Sequence, residues 1–189
     1  MAKENKNCLP AFDASKGIEF GIYTLGDHLI NPHTGKRISA GQRLREIVEM
    51  ARLADDAGLD VFVMGESHQD YFVSQAHSVV LSAIAQATKN IRISSGATII
   101  STSDPVRVYE DFATIDLLSN GRAEIVAGRA SRVGLFELLG YDLRDYEALF
   151  EEKFDLLLQI NQNEHLTWQG EFRAPLNNAH IIPRPLKGQ

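Results

Sequence analysis

Cysteine occurs once in 189 residues, at Cys8. One thiol closes no internal disulfide, so packing and hydrogen bonds must hold the fold, and a reducing, cytoplasmic setting is expected. Basic residues are outnumbered, 19 Lys and Arg against 25 Asp and Glu, for a formal net charge of −6. With no Lys/Arg-rich run, the electrostatic footprint of a nucleic-acid binder is missing. No apolar stretch approaches the ~20 residues that span a bilayer. The opening MAKENKNCLPAFDASKG carries no apolar secretion signal, so the chain is expected to stay where it is made. Three further signatures are missing: GxxxxGK[ST], GxGxxG after a strand, and GxSxG. Their absence argues against P-loop, Rossmann and hydrolase-elbow readings. His28, His33, His68 and His77 show no recognised metal-ligand spacing, and no metal is expected.

What is present is ordinary globular composition, 44% apolar and 23% charged. Residues 1–17 read as a polar arm. IEFGIYTL (18–25) reads as a first strand, and 26–38, broken by Gly and Asn-Pro, as a long loop. Ser39 with Gln42 three residues on forms a capping-box start, and Leu44, Ile47, Val48, Ala51 and Ala54 follow at helical spacing up to Gly58. LDVFVM (59–64) is a near-continuous apolar run, the mark of a parallel strand buried on both faces. Then come a helix over 77–90, a strand IRISSGATII (91–100), and a helix opened by Asp104 as N-cap and Pro105 at its first position. That helix is expected to bury Val106, Tyr109, Phe112 and Leu117 and to end at Gly121. AEIVAG (123–128) reads as a fourth strand, 133–140 and 145–163 as helices, and LTWQGEF (166–172) as a short hairpin before a Pro-punctuated tail. The Glu151-Glu152-Lys153 cluster reads as a solvated helix face. Strand and helix alternate four times, which implies an α/β fold with a parallel sheet: an open doubly wound sheet or part of a (β/α)8 barrel.

In either architecture ligands gather at the C-terminal ends of the strands. Those ends are Thr24–Asp27, Gly65–His68, Gly96–Thr98 and Gly128–Ser131. Glycine there lets a flat or anionic ligand reach the backbone, while His68, Thr98 and Arg129 offer donors. The densest stretch is VMGESHQDYF (63–72), where a buried strand delivers Glu66, Ser67, His68, Gln69, Asp70 and Tyr71 in succession. Each residue also has a plain reading: His68 as surface, Glu66 as a local pair, Arg129 as a rim ion pair. Loop 26–38, with Asp27, His28 and His33, reads as a substrate-access loop or a plain surface loop.

Three segments, DDAGLDVFVMGESH, SSGATIISTSDPVRVYEDFATIDLLSNGRAEIVAGRAS and ALFEEKFDLLLQI, resemble the bacterial luciferase-like flavin-dependent oxidoreductases. The resemblance runs in order over about residues 18–185. It implies a (β/α)8 TIM-type barrel that binds FMN at its strand ends and uses reduced flavin with O2 on a small organic substrate, with a deazaflavin branch that transfers hydride. By the same resemblance, Gly96, Ala97 and Thr98 run beneath the flavin ring, where relatives often carry a non-proline cis peptide. Arg129, with Ala130 and Ser131 in AGRAS, matches the phosphate-binding segment. Relatives carry Glu-His-His after the second strand, one histidine handling protons near the ring; here the motif is Glu66-Ser67-His68, which assigns that chemistry to His68 and Glu66. Relatives are about twice as long, so residues 18–189 are expected to supply only about the first four βα units, the N-terminal half of the barrel. The expectation is therefore a flavin enzyme present as a truncated chain. The alternatives are a non-catalytic flavin-binding or assembly half-barrel that needs a second copy or a missing half, and a fragment with no function of its own. A homodimer through helices near 77–89 and 105–119 is the expected assembly.

Overall fold

The computed structural model describes residues 17–132 and 134–186. Cys8 and nearly all of the proposed N-terminal arm lie outside the described residues, as does the first residue of the helix expected at 133.

Strand β1 (Gly21–Thr24) leads through the 26–38 loop to helix α1 (Ala40–Asp56). The Ser39 hydroxyl accepts from the Gln42 amide (3.1 Å), so the cap read in the sequence is formed. Next come β2 (Val61–Met64) and α2 (His77–Ala87), then β3 (Arg92–Ser95), β4 (Thr98–Ile99) and α3 (Pro105–Ser119). Asp104 caps α3 by accepting from Val106 N (2.8 Å), with Pro105 in the first turn. The remaining elements are β5 (Ala123–Glu124), β6 (Ala127–Gly128), α4 (Gly134–Leu139), α5 (Tyr146–Gln162), β7 (His165–Trp168) and β8 (Leu176–His180). Among the described residues no helix is long and apolar enough to cross a membrane.

The main sheet is parallel in the order β1-β2-β3-β5, as successive helical crossovers require. Ile22, Phe62 and Ile93 share a register row, and Phe62, Met64 and Ile93 are wholly buried beneath the helices. They pack with Ile47, Leu81, Ile84, Phe112, Leu156 and Ile160 into one core. The opposite face is open. Tyr23, in register with Val63, is 56% exposed there, and Arg92 ties Glu19 to Glu124 across the strands.

Several expectations need correction. The third and fourth strands are each interrupted. Between β3 and β4 lies a cis peptide, Gly96–Ala97; between β5 and β6 the Ser95 hydroxyl both donates to Val126 O (3.2 Å) and accepts from Val126 N (2.9 Å), replacing the regular ladder. The extensions β4 and β6 then pair with each other, parallel. The first strand is shorter than 18–25 because residues 17–20 lie exposed outside the ladder. The hairpin is real but spans 165–180, with β7 and β8 antiparallel, so 166–172 holds one strand and the turn. Leu117 is exposed at the end of α3. The 151–153 cluster is not a solvated face. Lys153 is 2% exposed and donates to Ser101 O (2.8 Å) and Tyr141 Oη (2.9 Å). The Glu152 carboxylate accepts from the backbone amides of Glu171, Phe172 and Arg173. Only Glu151 points to solvent.

Candidate functional site

Parallel register sets the site. Met64 pairs with Ser95, so the residues just beyond, Gly65-Glu66 and Gly96–Thr98, emerge side by side. The Glu66 amide donates to Ala97 O (3.2 Å), carrying the pairing past the cis peptide. Backbones run so close here that side chains are excluded. A Cβ on Gly65 would stand 2.6 Å from Gly96 O, and one on Gly128 would stand 2.7 Å from the Ala97 Cβ. At these two glycines the close approach is protein against protein, a different use from the ligand approach inferred from sequence.

The Glu66 side chain is 6% exposed, and both its oxygens are engaged. Oε2 accepts from Ile99 N (2.7 Å) and Oε1 is hydrogen-bonded to His68 Nε2 (2.8 Å). Such charge-assisted bonds are the strong class, which satisfies a carboxylate this deeply buried. A second imidazole completes the group. His77, the first residue of α2, holds Nδ1 3.7 Å from Glu66 Oε2 and hydrogen-bonds through Nε2 to Thr98 Oγ1 (2.8 Å). Burial pushes His77 below its ordinary value, against the opposing pull of Glu66 and Asp111 and with that of His68, so the ring is neutral at pH 7. One carboxylate between two imidazoles is an acid–base arrangement able to accept, hold and pass a proton.

Glu66, His68 and Thr98 are thus brought together, and Gly96 and Ala97 form the adjoining backbone. Arg129 lies apart. Its exposed guanidinium pairs with Glu147 (2.8 Å) and stacks over Phe150, 4.5 Å from the ring centroid. Ala130 is buried against Leu135 and Phe136 and accepts from Tyr146 Oη (2.9 Å). Ser131 is exposed and, with Arg132, faces Glu66 and His68 across a small cavity of about 20 Å³. Ser67, where relatives place a histidine by the resemblance, is buried. His28 bonds Ile38 O (2.7 Å) within its own loop and takes no part in the site. Sequence reasoning counted His77 only among possible metal ligands. The signal that finds it is positional, because the first turn of a crossover helix returns to the strand end it has just left.

Fold and site together define a parallel α/β protein with a buried acid–base group at the C-terminal strand ends. Residues 18–188 match the luciferase-like monooxygenase family, and the chain belongs to it. It is 29% identical to the N-acetyl-S-alkylcysteine monooxygenase of Bacillus subtilis over 80% of this chain and 44% of that one. An F420-dependent glucose-6-phosphate dehydrogenase of Amycolatopsis mediterranei is 26% identical, over 75% and 44%. Among solved structures, monooxygenase RslO1 from Streptomyces bottropensis superposes with a TM-score of 0.81 at 25% identity, over 90% of this chain and 50% of that one. The oxygenating constituent of the 3,6-diketocamphane monooxygenase of Pseudomonas putida, in complex with FMN, shares the fold with a TM-score of 0.76 at 18% identity, over 90% and 49%. The chain spans about half the length of the curated relatives it matches.

Proposed function

We propose that this chain carries the flavin-facing acid–base group of a flavin-dependent oxidoreductase that uses reduced FMN and O2 on a small organic substrate. The observation that carries this reading is the buried Glu66–His68 pair beside the Gly96–Ala97 strand end. The residues present fit a flavin at two points. Beside that strand end the sheet's open face offers half-exposed apolar surface, Tyr23 at 56% and Val126 at 50%, suited to an aromatic ring. Arg129 is exposed, and its partner Glu147 is itself 63% exposed, so the pair is one a phosphate dianion can displace at little cost.

Bound reduced flavin supplies electrons to O2, or a hydride in the deazaflavin case suggested by the F420-dependent relative. The chain's own residues do the rest. Arg129, flanked by Ala130 and Ser131, holds the phosphate, and Gly96, Ala97 and Thr98 underlie the ring. Glu66 orients His68, and His68 exchanges the proton with the site. Residues from 18 onward act as one barrel-type unit of four βα repeats in the cytoplasm. It pairs as a homodimer through α2 and α3, where Val79, Leu117 and Leu118 are exposed.

A specific observation favours a second reading. An apolar groove of about 510 Å³ runs between α3, α5 and β5–β6, lined by Phe112, Ile125, Phe154 and Leu157. A non-catalytic flavin-binding or assembly half-barrel would cover that groove with a second copy or a complementary half. Titrating the chain into FMN while following flavin fluorescence tests the first reading. Saturable micromolar binding that Arg129→Ala abolishes supports it, and no quenching up to millimolar concentration refutes it. Sedimentation of the same samples separates a monomer from an obligate pair.

A further inference from the structure

Glu66 lines two cavities. On one side is the small space shared with His68, Ser131 and Arg132. On the other is a larger one of about 260 Å³ between the start of α2 and α3, reached by His77, Ser78, Thr98, Arg107 and Asp111. The carboxylate is therefore a partition, with one imidazole on the site side and another on the rear side. A space of that size with polar walls holds several waters. Its charged lining continues outward, because Asp111 accepts from the Ser78 hydroxyl (3.0 Å) and Arg107 pairs with Glu110 at the surface.

We propose that His77 is a positioning residue that links Glu66, and through it His68, to solvent in the rear cavity, so that protons pass between the site and solvent without crossing its substrate face. His77 acts through Glu66 and touches no reacting group itself. Each transfer breaks one N–H or O–H bond and forms another. With Glu66 ionised and His68 Nε2–H donating to it, His68 Nδ1 takes a proton from the site as the Nε2 proton moves to Glu66 Oε1. Glu66 then returns to the carboxylate by giving a proton to His77 Nδ1, while His77 Nε2 gives its own to Thr98 Oγ1 and the Thr98 hydroxyl proton goes to cavity water. The balance is one proton in at His68 and one out to the cavity, and the same chain run backwards returns it. Two of the three contacts are already hydrogen bonds of 2.8 Å, and a bridging water or a turn of the ring spans the remaining 3.7 Å. The groups facing His77 are Glu66 and His68 from the strand-end segment and Asp111 from α3, with Arg107 further along the cavity wall. A neutral imidazole suits the task, since it donates at one nitrogen and accepts at the other.

The function proposed above decides only what the proton is used for, so the test needs no flavin. In the full chain labelled with 15N-histidine, NMR measures how fast water replaces the proton shared by His68 Nε2 and Glu66. His77→Gln and Thr98→Val, each close in shape to the residue replaced, are expected to slow that exchange by on the order of a hundredfold, the lower end of what one positioned proton-transfer group contributes. A purely structural role lowers the melting temperature and leaves exchange unchanged or faster, since opening becomes more frequent, and never slows it. Unchanged or faster exchange in a folded variant overturns the proposal, and if His77→Gln does not fold, Thr98→Val decides alone. The FMN titration runs on the unsubstituted chain. Slowed exchange without FMN binding keeps the relay and drops the flavin reading, while FMN binding with unchanged exchange does the reverse.

Discussion

Replacing Glu66 by alanine and by glutamine separates what its charge does from what its shape does. The side chain is 6% exposed, so solvent screens little of its bonding. Alanine leaves Ile99 N without its 2.7 Å acceptor and His68 Nε2 without its 2.8 Å partner. A bond to a charged group contributes about 1.5–3 kcal/mol, and a buried donor left bare adds to the loss. For two such bonds, allowing for relaxation and entry of water, the expected cost is about 3–4 kcal/mol. In a domain of this size that lowers the melting temperature by roughly 6–16 °C. Glutamine keeps the volume and a carbonyl for Ile99 N but trades two charge-assisted bonds for neutral ones, so about 1–1.5 kcal/mol is expected. Urea unfolding at pH 7.5, followed by far-UV circular dichroism, measures both. The reasoning fails if alanine costs under about 1 kcal/mol, because the carboxylate would then not be holding the β2 and β4 ends together. It fails equally if glutamine costs as much as alanine, because charge would then be everything and shape nothing.

Two further outcomes follow from groups that hold the scaffold. Arg122 donates to Ser119 O, Ala85 O, Thr88 O, Thr88 Oγ1 and Ile91 O at 2.7–3.0 Å, binding the α2 and α3 C-termini to the turn before β3. A lysine ammonium cannot reproduce that fork, so Arg122→Lys should cost about 2–3 kcal/mol in the same urea assay, with an unchanged denaturant slope. Asp55 accepts from the amides of Lys89, Asn90 and Ile91 at 2.6–2.9 Å. Burial pushes its carboxyl up, but those three amides with nearby Arg122 outweigh it, so it titrates below its ordinary 3.8. A depressed folded value means stability fully present above that pH and lost as pH falls through the folded value. Asp55→Asn should therefore lie furthest below the wild type at neutral pH and draw level with it in acid, read as melting temperature against pH.

Much of the scaffold was legible because its signals are local. Ser39 and Asp104 each bind an amide two or three residues away, and a helix start needs nothing more distant. The strand interruptions were not legible, because they depend on a neighbour. Ser95 looks like any strand residue until its hydroxyl meets Val126, 31 positions on. Lys153 shows the same limit. In sequence it follows two glutamates on an amphipathic helix and reads as solvated. Its burial is set by Ser101 and Tyr141, brought over it by a turn and a helix that local pattern does not place. Where a charge run touches the core, the seam is drawn by partners distant in sequence.

The site divides along the same line. Glu66 and Thr98 were placed together by a rule, since adjacent parallel strands bring their C-terminal ends side by side whatever the residues are. His68 follows two positions after Glu66 and bonds it locally. His77 needed one further step of the same rule: a crossover helix runs antiparallel to its strand, so its first residue sits at the strand's C-terminal end. The rule therefore covers the opening turn of each helix as well as each strand end, and here the added position carries an imidazole. That changes the meaning of Ser67. Read along the loop, the Glu-Ser-His motif has one histidine where the family resemblance implies two. Read in space, Glu66 still lies between two imidazoles, one from the loop on Oε1 and one from α2 facing Oε2. The second lies on the far side of the carboxylate, where it meets the rear cavity and leaves the open face of the sheet clear.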